Sequence, residues 1–286
     1  MNYRHGFHAG NHADVLKHLV LVALLEALKR KDAPFLVVDT HAGRGRYDLN
    51  SSQAQRTGEA KAGIARLWAA APSQPPALVQ YLEAVATART DAPDTYPGSP
   101  LLIAQSLRPQ DRFAACELLP EEAALLKGLL ASDPRCHVHA RDGYTALKSL
   151  LPPKDGAKRL ARALVLVDPP YEAQDAEYPL ILAALADALA RFPQVVVAVW
   201  YPIKQRASLH PFFRKVLGLP VKSALALELL VRPDDSPLRM NGSGMLLLNP
   251  PWQIEKHIEP AFKPLAQAMG EAGASWRLTW LKQEKA

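Results

Sequence analysis

The apolar run Ala163-Leu164-Val165-Leu166-Val167 leads without a break into Asp168-Pro169-Pro170-Tyr171. A short β-branched run free of charge reads as a central parallel strand covered on both faces. An acid at its carboxyl end then points into the crevice where open α/β sheets bind ligands. The tetrapeptide suits one demanding task. An exocyclic amine on a nucleobase is a poor nucleophile, because its lone pair is delocalised into the ring. Asp168 can accept one of its hydrogens and the carbonyl of Pro169 the other. Tyr171 offers an aromatic face for a base drawn out of its stack. Asp168, Pro169, Pro170 and Tyr171 are therefore the candidate catalytic set. The same residues also suit an ordinary strand-ending turn, so their context matters.

Three other strand ends carry residues that a nucleoside-bearing ligand needs. Phe35-Leu36-Val37-Val38 runs into Asp39-Thr40-His41-Ala42-Gly43-Arg44-Gly45, where glycines allow a tight turn and a close backbone approach. Phe113-Ala114-Ala115-Cys116 ends on Glu117, an acid of the kind that accepts hydrogen bonds from ribose hydroxyls. Cys136 to Ala140 runs into Arg141-Asp142-Gly143, where a carboxylate can take up an adenine amino group. Each acid alone can be a solvated loop residue. Their succession at strand ends is more informative.

The positioning elements follow from periodicity. Asp14 to Arg30 reads as an amphipathic helix closed by Lys29, Arg30 and Lys31 at the negative end of its dipole. After Asp39 a doubly wound fold would reach its ribose acid about 20 residues on, yet Glu117 comes far later. An insertion must fill the gap, with helices predicted over Glu59 to Ala70 and Pro76 to Arg89 around the breaker Pro72-Ser73-Gln74-Pro75-Pro76. The delayed core helix is expected at Gly98-Ser99-Pro100, with Ser99 as N-cap. Downstream, Pro179 to Arg191 and Leu209 to Leu217 read as helices. Gln194 to Trp200, Leu225 to Val231 and Gly244 to Leu248 read as strands. A helix over Glu255 to Met269 and a short strand over Ser275 to Leu281 complete the pattern. The fold class is α/β, a Rossmann-like doubly wound sheet with a small helical insertion. The expected organisation is 1–45 for the first helix and strand, 46–97 for the insertion and 98–286 for the rest of the core.

The gross balance agrees. Thirty-four basic against 28 acidic residues leave a net charge of +6, which helps a polyanion approach without identifying one. No apolar stretch is long enough to span a bilayer. Cys116 and Cys136, both in predicted strands, suit buried reduced thiols in a cytoplasmic protein better than a disulfide. His5, His8, His12, His18 and His41 raise the question of a metal, but no cysteine lies near them and none is expected.

The order of glycine loop, ribose acid, Asp-Gly and Asp-Pro-Pro-Tyr resembles the Rossmann-like S-adenosylmethionine-dependent amino-methyltransferases. Three further segments, Tyr3 to His18, Asp39-Thr40-His41-Ala42-Gly43 and Tyr96-Pro97-Gly98-Ser99-Pro100, resemble more narrowly the bacterial 23S ribosomal RNA (adenine-N6) methyltransferases. That likeness runs from Tyr3 to Trp252. It implies a class I methyltransferase sheet and S-adenosylmethionine as cofactor, contacted by His18, His41, Gly43, Ser99, Glu117, Asp142 and Gly143. It also implies catalysis at Asp168, a substrate-side role for Tyr3 and Lys17, and 23S ribosomal RNA as partner of a cytoplasmic protein, with a monomer favoured. The reaction expected is a direct displacement, with nitrogen, methyl carbon and sulfur held near a line.

Alternatives remain at this level. The same clamp suits adenine or cytosine in DNA, although DNA enzymes need a sizeable recognition domain. A catalytically silent RNA-binding protein on the same fold is another. Asn249-Pro250-Pro251-Trp252 is a second tetrapeptide of the same type, expected to sit towards an antiparallel edge and to serve as a rigid strand exit. Lys154, Lys158, Arg159, Arg162, Lys204 and Arg206 flank the strands of Asp168 and Trp200 and are candidates for tracking phosphates.

Overall fold

The computed structural model describes residues 4–69, 74–171, 174–237 and 240–284. Eight strands form one sheet: β1 (Phe35–Asp39), β2 (Arg112–Glu117), β3 (Cys136–Ala140), β4 (Arg162–Val167), β5 (Val196–Ile203), β6 (Ala224–Leu230), β7 (Gly242–Leu248) and β8 (Ser275–Lys282). Their spatial order is β3-β2-β1-β4-β5-β7-β6-β8. β3, β2, β1, β4 and β5 run parallel. β7 is reversed, antiparallel to both β5 and β6, and β8 adds an outer strand antiparallel to β6. The order reverses between β1 and β4, the two strands that carry Asp39 and Asp168 at their carboxyl ends.

Eight principal helices accompany the sheet: α1 (His12–Lys29), α2 (Pro76–Ala88), α3 (Ser99–Ser106), α4 (Pro120–Leu129), α5 (Gly143–Leu150), α6 (Gln174–Arg191), α7 (His210–Leu217) and α8 (Ile254–Met269). Alternate residues of each strand feed two cores. One gathers Val37, Phe113 and Leu166 with α1, α2, α3, α4 and α8. The other gathers Val38, Ala114, Val165 and Val167 with α5, α6 and α7. This is the physical consequence of a period-2 strand sandwiched between helices.

α1 shows how a long helix is seated. Asn11 caps it, its side-chain oxygen accepting from the amides of Ala13 and Asp14 at 2.9 Å each. Almost every residue from Ala13 to Leu25 is buried, so α1 is a core helix with no solvated stripe. The amphipathic reading missed this because the insertion covers its outer side. Ile64, Leu67, Leu78, Tyr81 and Val85 of the insertion belong to the same core cluster as α1.

Several expectations shift. The helix predicted from Glu59 is two short helices, Glu59–Ala62 and Ile64–Trp68, parted at Gly63. A Cβ there would meet the carbonyl oxygen of Gly10 at 2.1 Å, so the chain must break where it touches the start of α1. The expected end of that helix at Ala70 lies outside the described residues. A further helix, Ser52–Thr57, precedes it, and an antiparallel pair of short strands, Arg46–Asp48 with Thr95–Pro97, closes the insertion's stem. Ser99 is the first residue of α3 and not its cap; its hydroxyl is donated to Asp39. Ser275–Lys282 is longer than expected, an eight-residue strand paired with β6 as a full member of the main sheet.

Asn249 also moves. β7 lies between β5 and β6 and not at an edge, and its reversal carries Asn249 to the end of the sheet opposite Asp168. There its amide nitrogen donates to Pro193 and Val195 carbonyls at 3.0 Å each, and its oxygen accepts from Lys222 N at 3.0 Å. Its polar capacity is committed to the backbone. The expected phosphate track does not form a single surface either. Arg162 turns to the Leu28 and Lys31 carbonyls at the amino end of β4, and Arg206 is paired with Glu228 at 3.1 Å.

Candidate active site

The carboxyl ends of β1, β2, β3 and β4 converge on one cavity of about 270 Å³. Lys17, His18, His41, Gly43, Ser99, Glu117, Asp142, Gly143, Asp168 and Pro170 all line it. These positions are scattered over the chain, yet parallel strand ends bring them together. Tyr3 lies outside the described residues; Arg4 and His5, which follow it, reach the same cavity.

The glycine loop after β1 is held from three sides. Thr40 N and Oγ1 both donate to the Leu166 carbonyl at 3.0 Å, tying the loop to β4. Ala42 N donates to the Cys116 carbonyl at 2.9 Å, tying it to β2. Glu117 accepts from Gly43 N and from Leu119 N, each at 2.8 Å, one bond per carboxylate oxygen. This fixes the carboxylate while leaving further lone pairs for a ligand. Arg44 adds a two-pronged ion pair to Glu122. Gly43 has φ +62°, and a Cβ on it would meet the Tyr47 hydroxyl at 2.2 Å.

Asp142 caps α5, accepting from Thr145 N at 2.7 Å. Gly143 beside it is pressed against the turn after β1, where a Cβ would lie 2.0 Å from the Thr40 carbonyl oxygen. Because the obstacle is backbone, Gly143→Ala is expected to push the two strand ends apart. The expected cost is about 1–3 kcal/mol or more of stability, with weakened cofactor affinity. Urea unfolding and calorimetry check this; unchanged values for both would show that the contact is relaxed.

Asp39 is fully buried under the loop, accepting from Ser99 Oγ at 2.6 Å and from His41 N at 3.2 Å. Burial raises its carboxyl to about 7, with the Ser99 hydrogen bond opposing and Asp168 adding to the rise. The folded protein therefore holds a proton here that the unfolded chain releases near pH 4. Stability should fall as pH rises from about 4 to about 7. Asp39→Asn removes the titration, so the variant should gain melting temperature relative to wild type between pH 5 and 8. A pH-independent difference would contradict the assignment. Burial likewise lowers His41 to about 4, against the pull of Asp168 and Asp142. Its Nδ1 faces Thr40 Oγ1 at 2.8 Å and its ring meets Tyr144 edge-on at 5.0 Å.

The group that sequence reasoning missed is a buried charge relay from α1. Lys17 Nζ lies 2.8 Å from Asp14 Oδ1 and 2.5 Å from Asp168 Oδ2. Asp14 Oδ2 accepts from Gly10 N at 2.9 Å and pairs with His5 Nε2 at 3.0 Å. Lys17 therefore binds the candidate catalytic carboxylate directly, and any part it plays towards substrate begins from that ion pair. Desolvation works against its charge, but Asp14 and Asp168 outweigh it and hold the ammonium well above its usual range. The signal in the sequence was Asp14-x-x-Lys17 on a helix that is otherwise nearly all apolar.

Tyr171 takes φ +45°, an uncommon left-handed conformation for a bulky residue. Its hydroxyl donates to the Trp200 carbonyl at 2.7 Å, and its ring meets Tyr178 and Trp200 edge-on at 5.9 and 5.5 Å. The ring is fixed beside the cavity and partly exposed, not within its wall. The histidines go to separate partners: His5 to Asp14, His8 to Glu59, His18 to Tyr96 and His41 to Thr40. Both cysteines are free thiols, pushed up to about 12 by burial. Among the described residues, no helix is long and apolar enough to cross a membrane.

A parallel sheet with a reversed strand near its carboxyl end, and an acid-lined cavity at the point where strand order turns, define an α/β methyltransferase fold. The chain belongs to the family described as ribosomal RNA large subunit methyltransferase D, RlmJ, whose model matches residues 32–282. It is 38% identical over 287 residues to ribosomal RNA large subunit methyltransferase J of Haemophilus influenzae, covering 99% of this chain and all of that one. To the protein of the same name from Escherichia coli it is 39% identical over 282 residues, covering 96% and 98%. A crystal structure of a Legionella pneumophila protein superposes with a TM-score of 0.84 at 32% identity, covering 96% of this chain and 98% of that one.

Proposed function

We propose that the protein transfers a methyl group from S-adenosylmethionine to the N6 amino group of an adenine in 23S ribosomal RNA. The observation that carries the proposal is the placement of Asp168, anchored by Lys17, in one cavity with the glycine loop, Glu117 and Asp142. The residues fit such a cofactor. Gly43 and Gly143 let the loops turn and pack closely around the cavity, Glu117 and Asp142 retain acceptor lone pairs for ribose hydroxyls and an adenine amine, and His18 Nε2 is, among the described residues, a buried polar atom without a partner. His18, His41, Gly43, Ser99, Glu117, Asp142 and Gly143 would hold it. When bound, S-adenosylmethionine supplies a methyl group already attached to a good leaving group.

The chain's own work is to orient an amine and exclude water. Asp168 accepts one hydrogen of the target amine, and the carbonyl of Pro169 accepts the other. Lys17 holds the carboxylate in place, so little reorientation is needed as the nitrogen attacks. Asp168 then takes the proton that the nitrogen sheds. Tyr171 supports the extracted base, with Tyr3 and Lys17 completing the substrate side. 23S ribosomal RNA is the partner, and the net charge of +6 favours its approach. The test is mass spectrometry of nucleosides from 23S ribosomal RNA incubated with protein and S-adenosylmethionine. N6-methyladenosine is expected; N4-methylcytidine, or no methylated nucleoside, would refute the assignment.

A further inference from the structure

His18 is wholly buried on α1, yet its ring reaches the cavity wall. Its Nδ1 lies 2.8 Å from the Tyr96 hydroxyl, which lies 2.9 Å from the Tyr81 hydroxyl. All three side chains are sealed in the core, and among the described residues the chain of bonds ends at Tyr81. Among the described residues, its Nε2 is buried with no hydrogen-bond partner.

A phenol carries one hydrogen, and the polarity of this chain follows from where those hydrogens can go. Among the described residues, the Tyr96 oxygen is the acceptor within reach of the Tyr81 hydroxyl. If Tyr81 donates to Tyr96, then Tyr96 donates to His18 Nδ1, and every hydroxyl hydrogen is satisfied. The reverse polarity leaves the Tyr81 hydrogen without an acceptor in an apolar core, at a cost of about 1–3 kcal/mol. Nδ1 is therefore the acceptor nitrogen, and the ring proton sits on Nε2. Burial, helped by Lys17 and opposed by Asp14, holds the ring neutral, so Nε2 carries one hydrogen and the ring has one tautomer.

The donor faces a ligand of definite sign. Gly98 and Ser99 line the same cavity at the amino end of α3, which has no side-chain cap because its capping position is Gly98, while the Ser99 hydroxyl is donated to Asp39. An N–H donor beside an uncapped helix start favours an anion. Glu117 and Asp142 on the other strand ends offer the opposite character, which suits hydroxyl and amino groups of a nucleoside.

We propose that Tyr81 and Tyr96 act as positioning residues that lock His18 as its Nε2–H tautomer, and that this N–H binds the α-carboxylate at the amino-acid end of the cofactor. This rests on the S-adenosylmethionine reading above. The first test needs no cofactor: long-range nitrogen NMR of the ligand-free protein with labelled histidine, with His18 assigned by its loss in His18→Gln. A protonated Nε2 and a bare Nδ1 are expected, and the opposite tautomer overturns the proposal.

The second test compares S-adenosylhomocysteine with methylthioadenosine, which lacks the amino acid, by calorimetry on wild type and Tyr96→Phe. Affinity for S-adenosylhomocysteine should fall about ten- to a hundredfold in the variant, with methylthioadenosine little changed. Equal losses for both ligands would show a merely structural tyrosine and overturn the proposal. If wild type binds neither ligand, the cofactor reading and with it the carboxylate assignment are overturned, whereas the tautomer lock still stands or falls on the NMR result.

Discussion

Asp168→Ala should lower the single-turnover rate of methyl transfer by about 10²–10⁴-fold, the range for loss of a positioned proton acceptor, while S-adenosylmethionine affinity changes little. The separation is expected because Asp168 ends β4 on one side of β1, whereas Glu117, Asp142 and Gly143 lie at the ends of β2 and β3 on the other side. Lys17 keeps Asp14 as a counter-charge in the variant, so its ammonium is not left unpaired. Asp168→Asn divides the role further. An amide oxygen can still accept from the amine but cannot take a proton, so retention of most of the rate would mark orientation as the main contribution. The matching control is Asn249→Ala, whose chemistry in sequence is so similar. Because Asn249 fastens Pro193, Val195 and Lys222 at the far end of the sheet, the variant should lose stability and keep its transfer rate. A silent Asp168→Ala or an inactive Asn249→Ala would each overturn the assignment.

Lys17→Met should damage both stability and catalysis. The substitution keeps most of the volume but removes the positive charge between two carboxylates, one of them only 2% exposed. Breaking a buried pair by removing one partner costs about 3–5 kcal/mol, because the remaining charge is stranded. Unfolding in urea measures this directly. The acid limb gives a second reading. Burial works to raise the Asp14 carboxyl, but His5 and Lys17 prevail and hold it well below the usual range. A carboxyl depressed in the folded state stabilises above its unfolded value near pH 4, and that contribution is lost as pH falls through the lower folded value. With Lys17 gone, acid unfolding should therefore begin at higher pH. The transfer rate should drop as well, since Asp168 loses its anchor. Lys17→Arg keeps the charge but presents a planar fork to a site shaped for a compact ammonium, so only partial recovery is expected. Wild-type stability and rate in Lys17→Met would show that the relay is incidental.

The parts of this site that could be read in advance share one property: their information is local. An apolar run ending in an acid announces a strand and its carboxyl end together, as at Glu117 and Asp168. Gly143 stands where backbone must approach backbone, and Gly43 where the chain turns through a positive φ. What escaped depends on pairings across the chain. Lys17 and Asp168 are 151 residues apart, and nothing in the composition of α1 says which strand end its lysine will meet. Ser99 has the type and place of a helix cap, yet a buried carboxylate from β1 competes for its hydroxyl and wins. Asn249 carries the same local signature as Asp168, and only the reversal of β7 separates them by the length of the sheet. The burial of α1 on all sides likewise follows from the insertion folding over it, an arrangement invisible in the periodicity of the helix itself.

The decisive measurement is a crystal structure with S-adenosylhomocysteine and adenosine bound together. The adenine N6 should lie within about 3 Å of both an Asp168 carboxylate oxygen and the Pro169 carbonyl oxygen. An adenine amino group held elsewhere, with Asp168 still closed on Lys17 and touching no part of the base, would contradict it.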